Sequence, residues 1–294
     1  MVQSIQITFF SGTGGVQRIA DAFEREILER GLGVRGENLD YSMHNRRRQP
    51  SETTPSAAAD LILLLFPLHA FDAPEPVYDW INRTSFSGRQ VAVISVSGGG
   101  EAWPNTGCRD RCCRAIEEKG GRVLYERMLC MPSNWVFEVN EHAAMHLINA
   151  IPRKVKHVLD EVLAGKVRRS RARLSVLRAW VSRLEKEHAA EFPRDITVSA
   201  ACNGCAVCEN HCPVQNIHLQ NGRPLFGAEC VMCFRCIYAC PAHAMQTGNF
   251  MVLKNGYDLR GVERRMQGVK LEPVEKCAAG FMWTAIRDYL LDRD

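Results

Sequence analysis

The sequence predicts an α/β chain in two folded parts, a doubly wound sheet of five parallel strands and then a small α+β unit organised by cysteines. Two patterns carry that expectation. Over the first half, short apolar runs alternate with stretches whose apolar residues recur at helical spacing, the rhythm of parallel strands joined by crossover helices. Over residues 202 to 241, one cysteine pattern occurs twice, 28 positions apart. A length of 294 residues suits about two domains. The divisions expected are a sheet unit at 1–164, a basic helical linker at 165–195, the cysteine unit at 196–250 and a C-terminal extension at 251–294.

Taken in order, Ser4 to Phe10 alternates and then runs apolar, as a buried strand does. The loop Ser11-Gly12-Thr13-Gly14-Gly15 follows at once. From Val16 the apolar residues Ile19, Ala20, Phe23, Ile27 and Leu28 keep helical spacing until Gly31 stops them. Strand, Gly/Ser/Thr loop and helix start together present backbone amides and hydroxyls to an anion at the positive helix end. The lysine of a Walker loop and the three-glycine dinucleotide pattern are both missing. A phosphate that is held, not hydrolysed, is therefore expected, and direct use of a nicotinamide cofactor is disfavoured.

Gly33 to Leu39 reads as the second strand, Tyr41 to Pro55 as a polar, arginine-rich surface stretch, and Ala57 to Ala59 as part of a short helix. Leu61 to Phe66 is a continuous apolar run, the mark of a central parallel strand covered on both faces. Helices are expected over Val77–Ile81, Thr106–Lys119 and Glu138–Leu163, and strands over Gln90–Val96 and Arg122–Cys130. A doubly wound sheet binds its ligand beyond the carboxyl ends of its strands. At that edge, besides Ser11 to Gly15, lie Pro67-Leu68-His69-Ala70-Phe71-Asp72-Ala73-Pro74 and Ser97-Gly98-Gly99-Gly100-Glu101-Ala102-Trp103-Pro104. Trp103, Trp135, Phe71 and His69 fall in these loops or the one after the fifth strand. Each could stack on a flat ligand ring, Trp103 first among them, or serve ordinary packing. Cys108 and Cys112, four apart on a helix face, could form a dithiol or hold a metal with Cys130. The competing reading makes them, Cys113 and the isolated Cys277 packed thiols behaving as small hydrophobes.

From Lys154 to Glu187 the chain reads as helix interrupted at Gly165. Val167, Leu174, Leu177, Val181 and Leu184 share a stripe, with Arg168, Arg169, Arg171, Arg173, Arg178 and Arg183 around it. Such a helix is a connector packed through its stripe, or a weak contact for a membrane surface or acidic partner. Pro193 ends it, and Ile196 to Val198 opens the cysteine unit. Met245 to Leu253 completes a small sheet there, Gly256 to Lys276 is irregular or helical, and Phe281 to Leu291 forms a last amphipathic helix.

Charge excludes little by itself. The formal +4 comes from Lys+Arg against Asp+Glu of 15 and 18 over residues 1 to 152, 12 and 6 over 153 to 195, and 10 and 9 over 196 to 294. The excess sits in the middle segment, so the overall pI is no argument for nucleic-acid binding. With 46% hydrophobic residues and no apolar run near 18, a chain without a transmembrane segment is expected.

The cysteine runs are Cys202-Asn-Gly-Cys205-Ala-Val-Cys208-Glu-Asn-His-Cys212-Pro213 and Cys230-Val-Met-Cys233-Phe-Arg-Cys236-Ile-Tyr-Ala-Cys240-Pro241. Cysteines three apart on one loop supply three thiolates to a cubane iron–sulfur cluster, and the fourth, before proline, crosses to the other cluster. One [4Fe–4S] cluster is thus expected on Cys202, Cys205, Cys208 and Cys240, the other on Cys230, Cys233, Cys236 and Cys212. Structural zinc does not call for the third cysteine and the Cys-Pro. No basic-then-apolar leader precedes the first strand, so a disulfide framework is disfavoured, and free thiols with oxygen-sensitive clusters point to a reducing cytoplasm.

These runs resemble the bacterial two-cluster ferredoxin domain. The first-half loops resemble a flavodoxin-like domain, and with Met131-Pro132-Ser133-Asn134-Trp135 the whole chain is similar to a family of fusions in which a flavodoxin-like half precedes a two-cluster ferredoxin half. That resemblance implies strand order 2-1-3-4-5 and an FMN whose phosphate sits on Ser11, Gly12, Thr13, Gly14, Gly15 and Val16. It implies that Pro67, Leu68, His69, Phe71, Ser97, Gly98, Gly99, Gly100, Trp103 and Trp135 enclose the ring. The family loop reads Ser-Gly-Thr-Gly-Asn-Thr, whereas Gly15 and Val16 stand at its last two places here. The function expected is a cytoplasmic electron carrier passing electrons between FMN and two clusters and on to a redox protein such as a ferredoxin, flavodoxin or reductase. The alternatives are an FMN-dependent reductase fed through the clusters, and a flavin-free ferredoxin with a docking domain.

Overall fold

The computed structural model describes residues 2–43, 59–135, 138–170, 175–254 and 256–293. Most of the arginine-rich stretch and the short helix expected before residue 60 lie outside them, as do Arg171, Arg173 and Leu174. Five strands, β1 (Ser4–Phe9), β2 (Gly33–Asn38), β3 (Leu61–Pro67), β4 (Gln90–Ser97) and β5 (Arg122–Cys130), form one sheet. All neighbours are parallel and the order is β2-β1-β3-β4-β5, the flavodoxin-like winding. Leu61, Leu63 and Leu65 enter one buried core with α1 (Gly15–Glu29) and α4 (Glu141–Leu163). Ile62, Leu64 and Phe66 enter the other with α2 (Glu75–Arg83) and α3 (Asp110–Glu118). The period of two turns one apolar run into two cores, and so the run carries no polar face.

Glu161 of α4 locks that helix to β5. It accepts from the Tyr125 hydroxyl at 2.5 Å and from Arg127 at 3.4 Å, and pairs with Lys166. Burial pushes its carboxyl up, but hydrogen bonds from Lys166 and Tyr125 prevail and hold it at about 2. A carboxylate with a depressed folded pKa adds stability above its unfolded value and loses it as pH falls through the folded one. The Glu161 contribution, up to about 3 kcal/mol, is therefore full above pH ~4.5 and fades toward pH ~2. Melting curves of Glu161→Gln against wild type should converge over that window. A gap that stays constant with pH would assign the effect to packing.

The second unit is built as a repeat. β6 (Ile196–Val198) pairs antiparallel with β9 (Met245–Thr247), and β7 (Ile217–Gln220) with β8 (Arg223–Phe226). Short helices α6 (Val207–His211) and α7 (Arg235–Tyr238) follow equivalent cysteines. The backbone repeats as well. Gly204 and Met232, Ala206 and Phe234, and Gln215 and His243, each pair 28 apart, all have positive φ. Five of the six are not glycine, at a cost of roughly 1 kcal/mol each. The expected Met245–Leu253 sheet segment is thus real but shorter, and the β7–β8 hairpin was not foreseen.

The middle helix, α5 (Ser175–Asp195), contains Pro193 in its last turn instead of ending at it, and plants Phe192 in the second unit's core against Phe234 and Phe250. Before it, Arg168 pairs with the edge of β5 through its backbone, and Arg169 bonds Glu117, Glu126 and the Val123 carbonyl. These arginines brace the sheet. Val167 and Leu184, two members of the expected apolar stripe, are exposed and do not pack as a connector would. The extension is helical where expected, and its last helix is buried along one face. From α8 (Leu259–Arg265) and α10 (Thr284–Leu290), residues Leu259, Ile286, Tyr289 and Leu290 complete the α1/α4 core, and Val274 of α9 (Val274–Cys277) packs half-buried against it. Among the described residues, no helix is long and apolar enough to cross a membrane.

Candidate functional site

Beyond the carboxyl ends of the strands lies a cavity of about 300 Å³. Ser11, Gly12, Thr13, Gly15 and Val16 line it from the first loop, Pro67, Leu68, His69 and Phe71 from the second, Ser97, Gly98 and Gly99 from the third, and Trp135 from the fourth. Gly14, Gly100 and Trp103 are not in that lining. Gly14, at φ 96°, flanks the start of α1. Trp103 is 53% exposed, and the reason is a tertiary contact. A Cβ on Gly100 would lie 2.9 Å from that of Ala285, so the outer part of the third loop is committed to the extension. The favoured stacking ring is therefore away from the cavity, and Trp135 is in it. Asn105, Met131, Pro132, Ser133, Asn134 and Tyr257 join the lining without having been singled out as site residues. The phrase after the fifth strand pointed to four of them, and nothing in the sequence pointed to Tyr257.

The lining has no charged side chain, so its polarity comes from backbone and neutral groups. Ser11 Oγ accepts from the Gln17 amide at 3.2 Å, and Asn134 Nδ2 donates to Thr13 Oγ1 at 3.0 Å. Among the described residues none accepts from the amides of Thr13, Gly14 or Gly15, which leaves a row of donors at a helix start. In this lining two enclosed polar atoms, His69 Nδ1 and Trp135 Nε1, lack a partner among the described residues. Burial lowers the His69 pKa to about 4, so its imidazole is neutral at pH 7 and is no charge partner. Unmatched buried groups of this kind are costly unless a ligand answers them.

The eight cysteines of the second unit divide into two sets. Cys202, Cys205, Cys208 and Cys240 line one small apolar cavity, and Cys212, Cys230, Cys233 and Cys236 line another. The last cysteine of each run stands with the other run's first three. Cys212 accepts from the Asn216 amide at 3.2 Å and Cys240 from the Ala244 amide at 3.3 Å, the same contact in each half. Burial pushes the Cys208 thiol up to about 11, with charge on Cys205 and Cys240 adding to it. Cys230 is pushed up to about 12 by burial and then by Cys233 and Cys212. Thiols that raise one another in this way become thiolates only with cationic charge among them. Cys108, Cys112 and Cys113 behave otherwise. They line neither cavity; they are buried, their pKa values are likewise raised first by burial, and among all the described residues, the two cysteine sets included, no three His, Cys, Asp or Glu side chains converge on a single ion.

The second set sits against the sheet cavity. A Cβ on Gly12 would fall 2.8 Å from Cys233 Cβ, so only glycine lets the two loops touch. Arg235, between Cys233 and Cys236, donates to the carbonyls of Ser11, Gly12 and His211 and pairs with Asp40 at 2.6 Å. Trp135 stacks on Phe234 at 6.2 Å, and the backbone of Val231 bonds His69. Tyr238 donates to the Asn134 carbonyl at 2.6 Å, and the Tyr41 amide to that of Pro213 at 2.9 Å. The first set lies apart from this seam, with Cys205 exposed.

No family model matches the chain, and no curated protein does. Solved structures that resemble it include an archaeal flavodoxin, at 12% identity and TM-score 0.36 over 54% of this chain and 99% of that one. Fusobacterium nucleatum flavodoxin bound to flavin mononucleotide gives 14% identity and 0.36 over 55% and 97%. General stress protein 14 from Treponema denticola in complex with FMN gives 8% and 0.40 over 55% and 99%. The assignment of the first half to this winding rests on its strand order.

Proposed function

We propose that the chain is an electron carrier that holds FMN in the sheet cavity and a [4Fe–4S] cluster in each cysteine cavity, and passes electrons to a redox protein. The observation that carries this is the contact of Gly12 with Cys233, which sets an anion-binding loop directly on a thiolate loop. Bound FMN would supply two electrons that leave singly, and each cluster would carry one.

This chain's own residues do the rest. The amides of Thr13, Gly14 and Gly15 hold the phosphate. His69 and Trp135 offer neutral polar atoms and a ring edge to the flavin. Met131, Pro132 and Phe71 exclude water. Cys212, Cys230, Cys233 and Cys236 hold the flavin-proximal cluster, and Cys202, Cys205, Cys208 and Cys240 the distal one. Exposed Cys205 makes the distal cluster the port to the partner.

Anaerobically purified protein should contain about eight irons, about eight sulfides and one flavin per chain. On stepwise reduction, flavin and cluster absorbance should equilibrate with each other faster than with added dye. Zinc in place of iron, or a chain without flavin, sinks the proposal. Reduced flavin reoxidised by a small molecule in steady turnover would convert it to a reductase.

A further inference from the structure

The cavity has a wall that the sheet does not supply. Tyr257 of the C-terminal extension lines it beside the first loop. Its hydroxyl donates to the Pro132 carbonyl at 3.0 Å and lies 3.2 Å from where a Cβ on residue 15 would stand. Glycine at 15 therefore leaves room for this ring. The extension is pinned just beyond it. Asp258 caps α8 by accepting from the Gly261 amide at 2.9 Å, and Leu259 is buried in the α1/α4 core. Glu263 grips Arg18 of α1 through two bonds of 2.7 and 2.6 Å. Burial raises the phenol's pKa, so it stays neutral with a single proton, and Pro132 takes that proton. What remains for a ligand is a lone pair. A phosphate dianion accepts only and cannot answer it; the hydroxyls of a flavin's polyol chain can.

We propose that Tyr257 is a binding residue of the flavin site, accepting through Oη a hydrogen bond from a hydroxyl of the polyol chain, so that the extension forms part of the site. This rests on the FMN reading. The test compares FMN, riboflavin and lumiflavin, which lacks the polyol chain, binding to full-length wild type and Tyr257→Phe by fluorescence quenching. FMN and riboflavin should weaken roughly 3- to 10-fold, the range of a neutral hydrogen bond, and lumiflavin should not change. A loss shared by lumiflavin, a loss confined to FMN, or no loss overturns the assignment. Gly15→Ala, which places a methyl against that oxygen, should weaken the same two flavins, and by less in the Tyr257→Phe background. Equal losses in both backgrounds overturn it too. Wild type that binds none of the three flavins sinks the FMN reading and this assignment together. Wild type that binds flavin without regard to Tyr257 sinks the assignment alone.

Discussion

Cys233→Ala should leave about four irons per chain and a bound flavin that no longer exchanges electrons with the iron that remains. Alanine keeps the Cβ that abuts Gly12, so the seam between the loops stays packed while the thiolate is lost. Cys205→Ala should also leave about four irons, but with the opposite consequence. The flavin should still equilibrate with the proximal cluster, and transfer to an external acceptor should fall sharply, because the exposed port is gone. Iron analysis shows that each variant loses one cluster, and rapid-mixing absorbance shows which step fails. If Cys205→Ala stopped the internal transfer and Cys233→Ala spared it, the order of the clusters proposed here would be reversed.

The features that were legible and those that were not differ in physical kind. Leu61 to Phe66 could be read because both faces of a central strand must be apolar, and the grouping of the cysteines because their spacing repeats. The divided cysteine sets follow from the same spacing. Most of the left-handed residues that shape the loops could not be read, since Met232, Ala206, Phe234 and Gln215 are not residues that favour positive φ. One signal was present and passed over. Asn221-Gly222 stands between two short alternating runs, a strong hairpin mark, and both residues have positive φ. Tyr257 was out of reach, because its place in the cavity depends on Leu259, Ile286 and Leu290 packing on helices more than a hundred residues away. Trp103 was misjudged for the same reason. The close approach of Ala285 to Gly100 takes the outer loop away from the site, and that contact is made in tertiary structure alone.

Arg235 should matter to both cofactors, and its two roles can be separated. Its guanidinium holds the carbonyls of Ser11 and Gly12, which leaves the amides of the same loop free for the proposed FMN phosphate. It also places a positive charge between Cys233 and Cys236, two of the ligands proposed for the proximal cluster, and Asp40 partly offsets that charge. Arg235→Gln removes the charge and most of the fork. Charge-assisted bonds are worth about 1.5–3 kcal/mol each, so FMN affinity should fall by about tenfold or more. A lost neighbouring charge costs the reduced cluster about 1–2 kcal/mol in a partly buried setting, which lowers its potential by roughly 50–100 mV for a one-electron couple. Asp40→Asn should move the potential the other way. Arg235→Lys keeps the charge but not the planar fork, so it should hold the potential near wild type while still weakening FMN. Redox titration followed by electron paramagnetic resonance, beside flavin binding, reads both effects. If Arg235→Gln and Asp40→Asn shifted the potential in the same direction, the charge would not be what couples this residue to the cluster. If Arg235→Lys bound FMN as wild type does, the fork would not be what orders the loop.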